Sequence, residues 1–167
     1  MGRVADILSQ LQDCASPERA EITKRFFKTG RGSYSEGDQF IGVRVPELRT
    51  LAQTCLDCSI QQVSTILQSP IHEQRHLALL IWTYQYKANK SAPKIQQKIY
   101  DTYIAHSAWI NNWDLVDTST PHIMGEHLLH RNRAILHQWV QSDSLWERRM
   151  SIVATWAFIK RHDFKET

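Results

Sequence analysis

The feature that most restricts this chain is one pattern used over and over. Amphipathic segments of about 10 to 20 residues, apolar at helical spacing, follow one another with short breaks between them. Val4, Ile7, Leu8 and Leu11 mark the first helix. Ser16-Pro17 starts a second, with Ser16 as N-cap and Pro17 in the first turn, running to about Lys28. Thr29 to Asp38, with three glycines and no apolar period, is a loop. Pro46 opens a third helix that runs to about Leu56, and Ser59 caps a fourth carrying Val63, Ile66 and Leu67. The fifth spans His72 to Tyr86, and the sixth runs from Ala92-Pro93 to about His106. Asn111 or Asn112 caps a seventh that runs to about His130, and Arg133 to Gln141 is an eighth. Asp143 or Ser144 caps a ninth that continues to about Arg161.

No segment alternates apolar and polar residues strictly enough to be a strand. The expectation is therefore all-α. Helices joined by short turns make a bundle or an α-solenoid. The fifth, seventh and ninth helices begin near residues 71, 112 and 144. Helix pairs of about 35 to 45 residues are the period of HEAT-type arrays, so an α–α superhelix of about nine helices is preferred to a bundle.

A chain of 167 residues, 42% hydrophobic and 22% charged, suits one globular domain with its own core. It contains no run of about 20 apolar residues that would span a membrane. The first residues read as an amphipathic helix, not a signal peptide. Three cysteines point to a reduced, cytoplasmic setting, with Cys55 and Cys58 as small apolar residues near a helix end. The net charge is only +3, so a nucleic-acid ligand requires the positive residues to gather on one face. Six tryptophans is many for this length; some should be core, and any surplus raises the question of a stacking surface.

Four segments could carry chemistry. In Trp109-Ile-Asn-Asn-Trp113-Asp-Leu-Val-Asp117, four-residue spacing puts Trp113 and Asp117 on one helical face. An aromatic plane beside a carboxylate suits a substrate that becomes cationic, although a core tryptophan beside a surface carboxylate fits the spacing too. In Asp143-Ser-Leu-Trp-Glu-Arg148-Arg149, two adjacent arginines cannot both face a core. One could hold a phosphate, or the arginines could form a solvated charge pair with Glu147. His72-Glu73-Gln-Arg75-His76 matches the H-E-x-x-H zinc pattern, but a zinc peptidase also needs a third ligand and usually an adjoining sheet edge, and no strand is expected. A solvated N-terminal turn is the favoured reading of that segment. Gly30-Arg-Gly32-Ser-Tyr-Ser-Glu-Gly37 has no Walker spacing and reads as a surface loop that could touch a partner through Arg31.

Taken in order, several segments resemble the AlkD-like DNA alkylation-repair glycosylases. They are Arg25-Phe-Phe-Lys-Thr-Gly30, Phe40-Ile-Gly-Val-Arg-Val-Pro-Glu-Leu-Arg49, Trp113-Asp-Leu-Val-Asp117, Pro121-His-Ile-Met-Gly125, Leu145-Trp-Glu-Arg-Arg149 and Ala154-Thr-Trp-Ala-Phe-Ile159. The resemblance implies a solenoid of HEAT-like repeats holding duplex DNA on a basic face. It implies excision of positively charged N-alkylated purines such as 3-methyladenine and 7-methylguanine, with no cofactor or metal. By position, Asp117 resembles the family's catalytic carboxylate and Trp113 its aromatic residue beside the lesion's deoxyribose. Arg149 resembles its backbone-contacting arginine, with Arg148, Trp109, Arg44 and Phe26 as further DNA contacts. Phe26 stands where some members carry tyrosine, which removes a hydroxyl contact.

Typical members continue with further helices that include a Gly-Trp-x-x-Arg-Glu-like segment. A single domain over residues 1–167 without those helices is the expectation, acting as a monomer on alkylated double-stranded DNA. The rival reading from another class is a non-catalytic HEAT-like module that binds DNA or protein, and zinc peptidase chemistry ranks third.

Overall fold

The computed structural model describes residues 2–165, and among these the regular structure is helical. The described chain forms two compact units, divided between Tyr84 and Gln85. Within each, helices pack on helices, as the α–α superhelical class requires.

The first unit contains α1 (Gly2–Asp13), α2 (Pro17–Phe27), α3 (Val45–Gln53) and α4 (Ile60–Leu67), followed by the start of α5 (His72–Ala88). Local chemistry sets their ends. The Ser16 side chain accepts the Arg19 N–H at 3.3 Å, and Pro17 follows in the first turn. Ser59 and Gln62 form a reciprocal capping box at the start of α4. Helix α2 ends at Lys28, whose φ of 54° is left-handed. Helix α1 places Ile7 and Leu11 in the core and packs on α3 and α4. Cys55 and Cys58 are buried just past α3.

Helix α5 departs from the amphipathic expectation. Leu77, Ala78, Leu79, Leu80, Ile81 and Trp82 are all buried, so the helix hides every side and not one stripe. Its first turn is buried too. His72, Glu73, Arg75 and His76 are each at most 3% exposed, which corrects the solvated reading of the H-E-x-x-H segment. The physical reason is a set of long-range partners. The Glu73 carboxylate accepts the N–H groups of Ile41 (3.1 Å) and Gly42 (2.7 Å). Arg75 pairs with Asp38 at 2.7 Å and donates to the Ser69 carbonyl at 2.9 Å. Glu73 thus fixes a loop, and Gly42 shows why that loop needs fixing. Its φ is +77°, and a Cβ there would lie 2.6 Å from the Ala20 nitrogen and closer still to the Ser16 carbonyl oxygen.

The second unit contains α6 (Pro93–Ala105), α7 (Trp113–Ser119), α8 (Glu126–Leu128), α9 (Ala134–Trp139), α10 (Leu145–Ala154) and α11 (Trp156–Ile159). The expected seventh helix is interrupted. After α7, Pro121–Gly125 forms a widened turn closed by the Gly125 N–H on the Thr120 carbonyl at 2.9 Å. Proline has no N–H to continue the α ladder, and the wider turn absorbs the defect. Gly125 then lies against the last helices, where a Cβ would sit 2.6 Å from the Ala154 carbonyl oxygen and 2.8 Å from the Ala157 Cβ. The expected ninth helix is divided as well, at Thr155.

Candidate functional site

The candidate residues with the most developed geometry lie in the second unit, on α7 and α10. The Asn112 side chain caps α7 by accepting the Trp113 N–H at 2.8 Å. At the far end, the buried Tyr103 hydroxyl of α6 bonds Ser119 Oγ (3.0 Å) and Thr120 Oγ1 (2.8 Å). Burial pushes the Tyr103 phenol up to about 12, so it remains an O–H at neutral pH. Between these anchors, Leu115 and Val116 face the core and Asp117 faces solvent. Trp113 lies one turn before Asp117 and is partly buried.

Helix α10 packs on α7 and brings Arg149 to Asp117. Arg149 Nε donates to Asp117 Oδ1 at 2.9 Å and Nη2 to Oδ2 at 2.7 Å, a two-pronged pair. Each side chain keeps 40% of its surface exposed. Donating these hydrogen bonds to Asp117 raises the Arg149 pKa above its ordinary value. The neighbouring residues hold α10 in place. Ser144 accepts the Glu147 N–H at 3.4 Å. The Glu147 carboxylate accepts the hydroxyls of Ser107 (3.0 Å) and Ser142 (2.5 Å).

Asp117 also lines an open pocket of about 450 Å³, whose other walls include Pro121, Ile152, Val153, Trp156 and Ile159. A carboxylate at the rim of an apolar cleft, with a guanidinium gripping it, can stabilise positive charge that develops nearby. The same guanidinium can take a phosphate.

The other expected contacts are placed as follows. Trp109 ends a single tight turn, Ser107–Trp109, and is 37% exposed. Arg148 turns back to the loop before α10, donating to the carbonyls of Ser142 (2.6 Å) and Asp143 (2.9 Å). Phe26 and Arg44 belong to the first unit. Phe26 is 64% exposed and meets Phe27 edge to face at 5.2 Å. Arg44 precedes α3 and pairs with Glu47 at 2.8 Å.

Sequence reasoning passed over two features. Glu147, read there as a partner for the arginines, accepts two serine hydroxyls. Trp156 is exposed on the pocket that holds Asp117. The signal for the second was present, because Ile152 and Trp156 fall off the buried stripe of Met150, Ala154 and Phe158.

The family model described as "DNA alkylation repair enzyme" matches residues 7–167 of the chain. No curated protein and no solved structure matches it.

Proposed function

The chain belongs to the DNA alkylation repair enzyme family, and from that premise we propose that it is a DNA N-glycosylase acting on positively charged N-alkylated purines in duplex DNA. The observation that carries this reading is the half-exposed Asp117 carboxylate, gripped by Arg149 at the rim of the pocket, one helical turn from Trp113.

The chemistry needs little more. An alkylated purine such as 3-methyladenine or 7-methylguanine already carries positive charge. It leaves with the electron pair of the glycosidic bond and becomes neutral, so no acid has to protonate it. The positive charge passes to the deoxyribose, which gains oxocarbenium character, as in other glycoside hydrolyses. Asp117 stabilises that charge and orients the water that adds to C1′, while the water's proton passes to solvent. Trp113 adds the attraction of its π-face and excludes bulk water.

Arg149 gives the site its response to substrate. In the described structure both Asp117 oxygens are occupied by the guanidinium. A backbone phosphate offers Arg149 an equivalent two-pronged partner, and taking it frees the carboxylate for the sugar. Arg148, Trp109, Phe26 and Arg44 serve as supporting contacts to the duplex in this reading.

The test is release of 7-methylguanine and 3-methyladenine from methylated duplex DNA, run beside an Asp117→Asn control. Release that disappears in the control supports the proposal. DNA binding without release favours a non-catalytic module that keeps the same surface, and release that survives the substitution removes Asp117 from the mechanism.

A further inference from the structure

The pocket that Asp117 lines is walled largely by residues of α10 and α11. Pro121, Ile152, Val153 and Ile159 make it apolar, while Trp156 at its edge leaves 54% of its surface in solvent. Next to the indole stands the exposed Lys160, its Nζ 5.3 Å from the ring centroid. Among the described residues, no carboxylate lies within ion-pair distance of that ammonium. The positive potential there is felt by His122, whose pKa is lowered first by burial and then by the charge of Lys160.

An exposed indole with an ammonium lying over one face of its ring, opening onto an apolar cleft, suits one class of ligand. A nucleotide presents a flat ring and a sugar with apolar C–H faces, joined to a phosphate. Proteins that hold nucleic acid strands pair an aromatic platform with a cation in this way. A cationic alkylated base fits less well, because Lys160 repels it. The occupant best matched is therefore an uncharged nucleotide.

We infer that Trp156 and Lys160 form a second nucleotide subsite, which takes a nucleotide flanking the one whose sugar faces Asp117. This rests on the reading of Asp117 as the reacting-sugar residue. The indole packs on the base or sugar, and the ammonium meets the phosphate. Arg149 and Lys160 then hold two phosphates of one strand, on either side of the pocket. Contacts to an unreacting nucleotide are the same before and during bond cleavage. They strengthen binding without changing the rate of the bound complex.

The experiment compares Trp156→Ala, Trp156→Phe and Lys160→Gln with the parent chain. Both positions are at the surface, and circular dichroism and size-exclusion chromatography confirm fold and assembly state. Affinity for an undamaged duplex is measured first, across a salt series. Loss of one stacked base predicts affinity about 5- to 150-fold lower for Trp156→Ala, with Trp156→Phe close to the parent. Lys160→Gln is expected to lower the steepness of the salt dependence by about one phosphate contact.

On methylated duplex, the expected pattern is a raised KM for Trp156→Ala with the single-turnover rate at saturation unchanged. Parent-like affinity in all three variants overturns the subsite. So does a loss confined to the saturating rate, or a change of assembly state in place of a change in DNA affinity. Because the first arm uses undamaged DNA, it still decides the subsite if the parent chain releases no base and the reading of Asp117 fails.

Discussion

Arg149 holds both oxygens of Asp117, reaching across from α10 to α7 with contacts of 2.9 and 2.7 Å. The pair is half exposed, so its net value to folding is about 0 to 1 kcal/mol. A change at this pair therefore has little leverage on stability. Asp117→Asn is expected to leave the thermal midpoint nearly unchanged. Removing one electrostatic group of this kind costs about 2.7 to 4 kcal/mol of barrier, so excision should fall roughly 100- to 1,000-fold. A melting curve and a single-turnover base-release assay on the same sample check both halves.

Charge and shape at position 149 can be separated. Lysine keeps the charge but loses the planar fork that grips a carboxylate or phosphate at two points. Arg149→Lys should retain most of the salt-dependent DNA affinity, whereas Arg149→Ala should lower the steepness of that dependence by about one phosphate contact. Both variants should lose excision, alanine more than lysine. Equal affinity in Arg149→Ala and the parent would remove the phosphate role.

Acid should destabilise the second unit through His127. This buried ring stacks on Tyr100 with centroids 4.0 Å apart, and its Nδ1 lies 3.0 Å from the Tyr86 hydroxyl. Burial first, and the charge of Arg131 second, lower its pKa from 6.5 to about 4. Between those values the unfolded chain binds a proton that the folded chain refuses. Stability is whole above pH 6.5, declines as pH falls towards about 4, and levels off below that. The contribution is about 3 kcal/mol at most. Urea unfolding of the parent and His127→Asn at several pH values isolates it, because the variant's acid slope should be shallower.

Gly125→Ala should cost about 1 to 3 kcal/mol by overpacking, since the added carbon lands 2.6 Å from the Ala154 carbonyl oxygen. Denaturant midpoints measure this. A neutral result would mean that α10 and the widened turn can separate freely.

Glu73→Gln tests whether the buried start of α5 is a clamp. The carboxylate receives amide hydrogens from Ile41 and Gly42. An amide side chain can accept through one atom only and turns an N–H₂ towards a donor. A loss of about 1 to 3 kcal/mol in unfolding free energy follows. A change within about 0.5 kcal/mol, as for an ordinary surface position, would contradict the clamp.

Features governed by neighbours in sequence were readable without coordinates. Ser16, Ser59 and Ser144 cap helices because their partners lie three residues ahead, and Asn112 does so one residue ahead. The break at Pro121 escaped because the helical period continues through it, and only the missing amide, not the apolar spacing, records the defect. The burial of Glu73 escaped for a different reason: its partners are 31 and 32 residues away. At the site, spacing related Trp113 to Asp117, but nothing local related Asp117 to Arg149, which lies 32 residues on. Their roles came from the ordered resemblance of whole segments. Trp156 was given no site role because it lies inside the resembling segment Ala154–Ile159, and only its exposure sets it apart.

The bare hydrogen of Gly125 acts as a fulcrum. It lets the backbone of the widened turn rest directly on the backbone near Ala154, with no flexible side chain between them. Asp117 sits eight residues up one arm from that bearing, about 12 Å at helical rise. Arg149 sits five residues up the other, about 7.5 Å from Ala154 on the same measure. A tilt of a few degrees at the bearing moves the carboxylate by about half an ångström relative to its guanidinium, roughly the tolerance a catalytic constellation allows. The spacing of the Asp117–Arg149 pair is thus tied to a close contact at a residue with no side chain of its own.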